Sequence, residues 1–196
     1  ALQDHRLSPL QKLEINRKAK DQLLLPITAF GPRADNGTHY GGTMILIPYE
    51  AIELRDKESI HDACARIATT RKGIKGGRAV RAMTTVEKQT LTVVSMYAPA
   101  KPTAPDTRAD FFKKLAKLLT RNTLLGIDAN CVPNLQLDVK RDAQASAYDN
   151  EGAQELSDTV DRLDLSDVAR EFLGSTPFFT SHHIVRGGQQ CWTRID

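Results

Sequence analysis

Asn122-Thr123-Leu124-Leu125-Gly126-Ile127-Asp128-Ala129-Asn130-Cys131-Val132-Pro133 is the stretch on which the fold turns. Leu124, Leu125 and Ile127 form an apolar run that predicts a short buried strand, ended by two polar residues. Side chains alternate along an extended chain, so Asp128 and Asn130 are expected on the same face. An acid and an amide side by side at a strand end can hold a hydrated divalent cation or orient a nucleophile at a phosphate. They can equally form an Asx turn that simply ends the strand. On these residues alone both readings stand.

Working outward, the totals are those of an ordinary globular chain. Of 196 residues, 40% are hydrophobic and 26% charged, which excludes a disordered polar chain and supports one domain spanning 1–196. Lys and Arg number 27 against 24 acids, a net charge of +3, so the placement of charge says more about partners than its sum. Three separated cysteines without C-x-x-C spacing give neither a disulfide framework nor a zinc site, and fit a reducing, intracellular compartment. No membrane partner is expected, because no apolar run reaches 18 residues. The chain opens on Ala1 and stops at Asp196 in a strand-like run, so a fragment of a longer protein is expected.

Ala1 to His5 reads as a strand end. Ser8-Pro9 supplies a helix cap followed by proline at the first helical position, and the helix ends before Pro26. Strands are expected at Ile27 to Phe30, at Thr43 to Ile47 and at Ile52 to Leu54, with a Gly- and Asn-rich loop over Gly31 to Gly42. A helix follows over Ser59 to Thr70. Arg71 to Arg81 carries five basic residues and no acid; it reads as a glycine loop, either solvated or tracking nucleic-acid backbone, that feeds a strand over Arg78 to Thr84. A turn at Glu87-Lys88 then leads to the β-branched strand Thr90 to Tyr97. Phe111, Phe112, Leu115, Leu118 and Leu119 mark a helix over Thr107 to Arg121. Asn134 to Asn150 reads as an exposed loop, and Glu151 to Leu163 as an amphipathic helix. A short helix capped by Ser166 ends at Gly174. Strands over Phe178 to Thr180 and Cys191 to Asp196 are joined through Gly187-Gly188.

The order strand-Tyr97-Ala98-Pro99, helix, strand-Asp128-x-Asn130, helix, strand-Arg194-Ile195-Asp196 resembles the endonuclease/exonuclease/phosphatase superfamily. The resemblance is nearest to the endonuclease domain of non-LTR (LINE-type) retrotransposons. It covers nearly the whole chain and implies a deoxyribonuclease-like α/β fold, a four-layer α-β-β-α sandwich of two mixed sheets. It also implies a Mg²⁺ (or Mn²⁺) cofactor, DNA as partner, a nuclear site of action and a reverse transcriptase downstream. Asp4 stands where the family has its metal-binding Glu. Asp is one methylene shorter, and Mg²⁺ takes ligands at about 2.0–2.1 Å in near-octahedral geometry, so the backbone moves in, a water intervenes, or the site is weakened. The resemblance further assigns Tyr97 to the scissile phosphate, Asp128 to the attacking water and Asn130 to positioning it. Thr180, Thr193 and Arg78 are candidate phosphate or DNA contacts, and Asp196 orients a catalytic His. That His belongs to a Ser-Asp-His motif expected beyond Asp196. His182-His183 falls at another motif position and reads as a loop pair on a substrate-facing hairpin.

Phosphodiester hydrolysis needs an in-line water, a group to orient or deprotonate it, and neutralisation of the phosphate charge. The expected activity is therefore DNA nicking. Its alternatives are a non-catalytic fragment that at most binds nucleic acid, and a phosphatase for an ester such as a phosphoinositide.

Overall fold

The computed structural model describes residues 2–3, 6–32, 41–100, 107–141, 149–184 and 190–194. Within them the chain is α/β and divides into two compact units that interleave in sequence. The first is Ala1–Tyr97 with Lys117–Ile127, the second Ala98–Ala116 with Asp128–Asp196.

The first unit begins with strand β1 (Leu2–Gln3) and helix α1 (Pro9–Asp21). Ser8 caps α1 in a capping box: its Oγ accepts from the Gln11 N–H (3.3 Å), while its own N–H donates to Gln11 Oε1 (2.8 Å). Strands β2 (Leu24–Ala29) and β3 (Thr43–Pro48) pair antiparallel, and β1 joins the far side of β3. Pro26 lies within β2, which it can do because β2 is the sheet's edge. Helix α2 (Ile60–Thr69) is capped by Ser59. A 3-10 turn at Tyr49–Ala51 precedes Ile52, so the strand expected over Ile52 to Leu54 does not form.

Strands β4 (Lys72–Ile74), β5 (Ala79–Val86), β6 (Gln89–Tyr97) and β7 (Thr123–Asp128) make a second sheet in that order. The basic run is thus partly an edge strand rather than a loop. Glu87 and Lys88 both take positive φ (50° and 63°) between the paired Val86 and Gln89, the two-residue turn that matches strand twist. β7 runs parallel to β6: Thr92 N–H donates to Asn122 and Ala98 N–H to Asp128, the same sequence offset at both places. This sheet is mixed; the others among the described residues are antiparallel. Ile27, Ile45, Ile47, Ala63, Ile67, Val80 and Ala82, from β2, β3, α2 and β5, close one core. At Gly77 (φ +67°) an added Cβ would lie 2.0 Å from the Phe30 carbonyl oxygen, so only glycine lets these backbones meet.

β7 corrects the expectation of a buried strand. Leu124 is 58% exposed and no residue of the strand is fully buried, because β7 ends the sheet order and is covered on fewer sides.

The second unit holds helix α3 (Arg108–Leu115), α4 (Leu135–Asp138), strand β8 (Val139–Arg141), helices α5 (Ala153–Leu163) and α6 (Val168–Leu173), and strands β9 (Ser181–Ile184) and β10 (Gln190–Thr193). α3 stops at Leu115, short of Arg121. Downstream, Thr120 and Thr123 form a hydroxyl-bonded turn into β7, with Thr120 N–H to Thr123 Oγ1 at 2.9 Å and Thr123 Oγ1 to the Thr120 carbonyl at 2.7 Å. Asn134 to Asn150 is not simply an exposed loop. Asn134 caps α4 by accepting from Gln136 and Leu137, and β8 pairs with β10. Asp167, rather than Ser166, caps α6. β9 begins at Ser181, after the residues expected to form it, and places His182 and His183 on a strand rather than in a loop. β9 and β10 pair antiparallel in the order β8-β10-β9. Gly187-Gly188 lies outside the described residues, as does most of the Gly31 to Gly42 loop. No helix among the described residues is long and apolar enough to cross a membrane.

Candidate active-site residues

Asp128 is the last residue of β7, and the chain turns at once. Asn130 takes φ +49°, and its N–H donates to Asp128 Oδ1 at 3.2 Å. That is an Asx turn, so strand alternation ends at Asp128 and does not set the direction of the Asn130 side chain. The Asn130 amide instead donates from Nδ2 to the Ala98 carbonyl at 2.9 Å, and Ala98 N–H donates to the Asp128 carbonyl at 2.8 Å. The acid and the amide are therefore locked together at the exit of a strand by side-chain and main-chain bonds. Both remain half-buried rather than sealed in. One oxygen of the carboxylate, Oδ1, holds the turn.

Residues with no sequence signal hold this turn in place. Asn150 brackets Val132, accepting its N–H at 2.8 Å and donating Nδ2 to its carbonyl at 3.1 Å. Arg108, buried at the start of α3, donates to the carbonyls of Ala100, Asp149 and Glu151 and forms an ion pair with the Asp149 carboxylate at 2.8 Å. Glu151 in turn accepts the N–H groups of Arg108 and Ala109, each at 3.0 Å, at the helix N-terminus. Gly152 (φ +88°) fits under this helix because a Cβ there would come within 2.7 Å of Arg108 Cβ. Burial pushes the neighbouring Cys131 thiol up to about 12, against a smaller opposing pull from Arg108, which disfavours its thiolate.

Two further candidates meet in the first unit. Arg78 and Tyr97 face each other across the β5–β6 pair. The Tyr97 N–H donates to the Arg78 carbonyl at 2.7 Å, and the guanidinium carbon stands 5.9 Å from the ring centroid. Both side chains are half-buried.

No family model matches the chain, and no curated protein matches it. Solved structures similar to it include the following two. The endonuclease domain of TRAS1, a telomere-specific non-LTR retrotransposon, has a TM-score of 0.41 and 12% identity, over 94% of this chain and 78% of that one. D. rerio TDP2 complexed with single strand DNA product has a TM-score of 0.44 and 12% identity, over 97% of this chain and 68% of that one. At such identity and TM-scores below 0.5 these likenesses decide nothing about activity.

The remaining candidates are less alike in position. Thr180 is exposed, and its N–H donates to the Thr193 carbonyl at 3.0 Å. Thr193 itself is 1% exposed, paired with Ser181 and Val139, and has no surface through which to meet a phosphate as it stands here. Asp4 and Asp196 lie outside the described residues. Among the described residues no three His, Cys, Asp or Glu side chains cluster as metal ligands.

An ion cluster in the second unit went unread in the sequence. Asp138, 0% exposed, pairs with Arg170 and accepts the Asn134 N–H at 3.0 Å, with Arg194 Nη1 at 3.6 Å. Arg194, 6% exposed, also binds both Asp167 oxygens at 2.6 and 2.8 Å. Burial raises the Asp167 carboxyl, but Arg194 and the Arg170 N–H outweigh it and hold it below its ordinary value of 3.8. This cluster ties α4, α6 and β10 together two residues before Asp196.

Proposed function

We propose that the chain hydrolyses phosphodiesters as a DNA-nicking endonuclease domain, with Asp128 as the residue that orients or deprotonates the attacking water. The observation that carries this reading is the Asp128–Asn130 turn. An acid and an amide are held rigidly at the C-terminal end of a strand parallel to its neighbour, where ligands of α/β sheets bind, and neither side chain is sealed from solvent. Tyr97 and Arg78 are assigned to phosphate oxygens by the order of motifs alone. A divalent cation, with Asp4 as its ligand, and a place in a retrotransposon polyprotein belong to the same proposal. Its support is the order of motifs from Leu2-Gln3-Asp4 to Thr193-Arg194-Ile195-Asp196.

The test is relaxation of supercoiled plasmid by the chain extended at both ends, with Mg²⁺ and with EDTA, repeated for Asp128→Asn. An asparagine Oδ1 can still accept the Asn130 N–H, so this variant keeps the turn and removes only the charge. Nicking that stops with EDTA and falls by about 10²–10⁴ in the variant, the usual worth of a general base, is expected. Equal nicking by the variant would refute the assignment. The rival reading is a nucleic-acid-binding module without turnover; DNA retention with no nicking in Mg²⁺ or Mn²⁺ would select it.

A further inference from the structure

The three strands β8, β10 and β9 carry no acidic residue, and one row across them is made of rings and a cation. Register places Lys140 opposite Trp192 and Trp192 opposite His182. The His182 and Trp192 rings stack at 4.9 Å with 17° between their planes, and Lys140 Nζ stands 5.3 Å from the Trp192 ring centroid. Trp192 is half-buried between its neighbours, whereas His182 and Lys140 are exposed. β9 ends the sheet order, so His182 closes the stack on an edge strand. Cross-strand aromatic pairs stabilise sheets, but that role does not require a ring at the exposed edge or a cation completing the row.

We propose that this ladder is a stacking platform for an unpaired base of single-stranded DNA, taken on the outer face of the His182 imidazole. The base extends an existing stack. Lys140, two strand spacings or about 10 Å across the sheet, supplies positive charge for the phosphate backbone. Any base presents a π-face, so the platform selects unpaired over paired strands without selecting sequence. The partner class rests on the nucleic-acid part of the function proposed above, but not on hydrolysis.

Trp192 is the single tryptophan of the chain, so its emission reports on this row alone. In EDTA, where no nicking is expected, a ten-residue oligothymidylate should change Trp192 emission saturably. Fluorescence anisotropy of the labelled oligonucleotide gives the affinity. A base stacked on an aromatic ring is worth about 1–3 kcal/mol, so His182→Ala should weaken binding about 5- to 150-fold, and an abasic strand of equal length should bind the unaltered protein correspondingly less well. Lys140→Gln should weaken binding and flatten its salt dependence. Urea unfolding of each variant separates loss of the platform from loss of the fold. No saturable emission change, equal binding by a stably folded His182→Ala, or equal binding of abasic and thymidylate strands would each overturn the proposal. Binding that passes these tests in a protein that never nicks DNA would leave the platform standing and defeat only the endonuclease reading.

Discussion

Replacing Asp138 by alanine should be among the most damaging single changes in the second unit. The carboxylate is fully buried and serves two guanidiniums and one backbone N–H. Arg170 keeps the carbonyls of Gly174 and Thr176 when it is lost, and Arg194 keeps Asp167. Arg194 Nε and Nη1, however, are buried with no hydrogen-bond partner among the described residues. Removing one member of a buried pair costs about 3–5 kcal/mol because the other charge stays desolvated. The contacts left to both arginines put Asp138→Ala at the lower end, about 3 kcal/mol. With a urea dependence of about 2 kcal/mol per molar, the unfolding midpoint followed by circular dichroism should fall by about 1.5 M. Asp167→Ala should cost about 1–2 kcal/mol, since Asp167 is partly exposed but supplies both the α6 cap and the carboxylate that binds Arg194. A buried pair replaced by apolar side chains is often neutral, so Arg170→Met, which removes the hydrogen-bonded partner of Asp138, should recover part of the loss in the Asp138→Ala background. A midpoint shift below about 0.5 M for Asp138→Ala, or a double variant no better than the single one, would refute the view that stranded charge sets the cost.

Acid should expose the same cluster. The folded carboxyl of Asp167 titrates below its ordinary 3.8, so its contribution is complete above about pH 4 and is lost as the pH falls through the folded value; the drop in urea midpoint between pH 5 and pH 3 should be smaller in Asp167→Asn. Gly77→Ala and Gly76→Ala should separate two costs. Both positions have positive φ, worth about 1–2 kcal/mol for a side chain, but only at Gly77 would the methyl strike backbone, at Phe30, so thermal denaturation should show Gly77→Ala as clearly the worse.

Local chemistry made much of this fold legible. Ser8-Pro9 announced a helix through short-range capping, and the β-branched run before Tyr97 announced the strand that anchors the mixed sheet. What escaped was non-local. β8 has three residues and no period of its own; it is a strand because β10, some fifty positions later, pairs with it. Leu124 looked like core because its neighbours are apolar, yet burial depends on what lies against the strand, and β7 ends its sheet. Asp138, Asp167, Arg170 and Arg194 are ordinary surface types by composition, and only the meeting of three elements turns them into buried partners.

The two readings of Asp128 and Asn130 were posed as rivals, a turn or a site, and the geometry removes the opposition. The Asx turn occupies one carboxylate oxygen and one backbone N–H, while the Asn130 amide is spent on the Ala98 carbonyl. Asn130 is therefore better placed to fix the turn than to touch a reacting water, and in the proposed reaction the chemical role is left to Asp128. This division of labour has a consequence for substitution at each position. Asn130→Ala should loosen the turn and cost stability as well as turnover, whereas Asp128→Asn should cost turnover alone, because its amide oxygen can hold the turn without supplying a base. A carboxylate present only to end a strand would leave both variants equally active once folded.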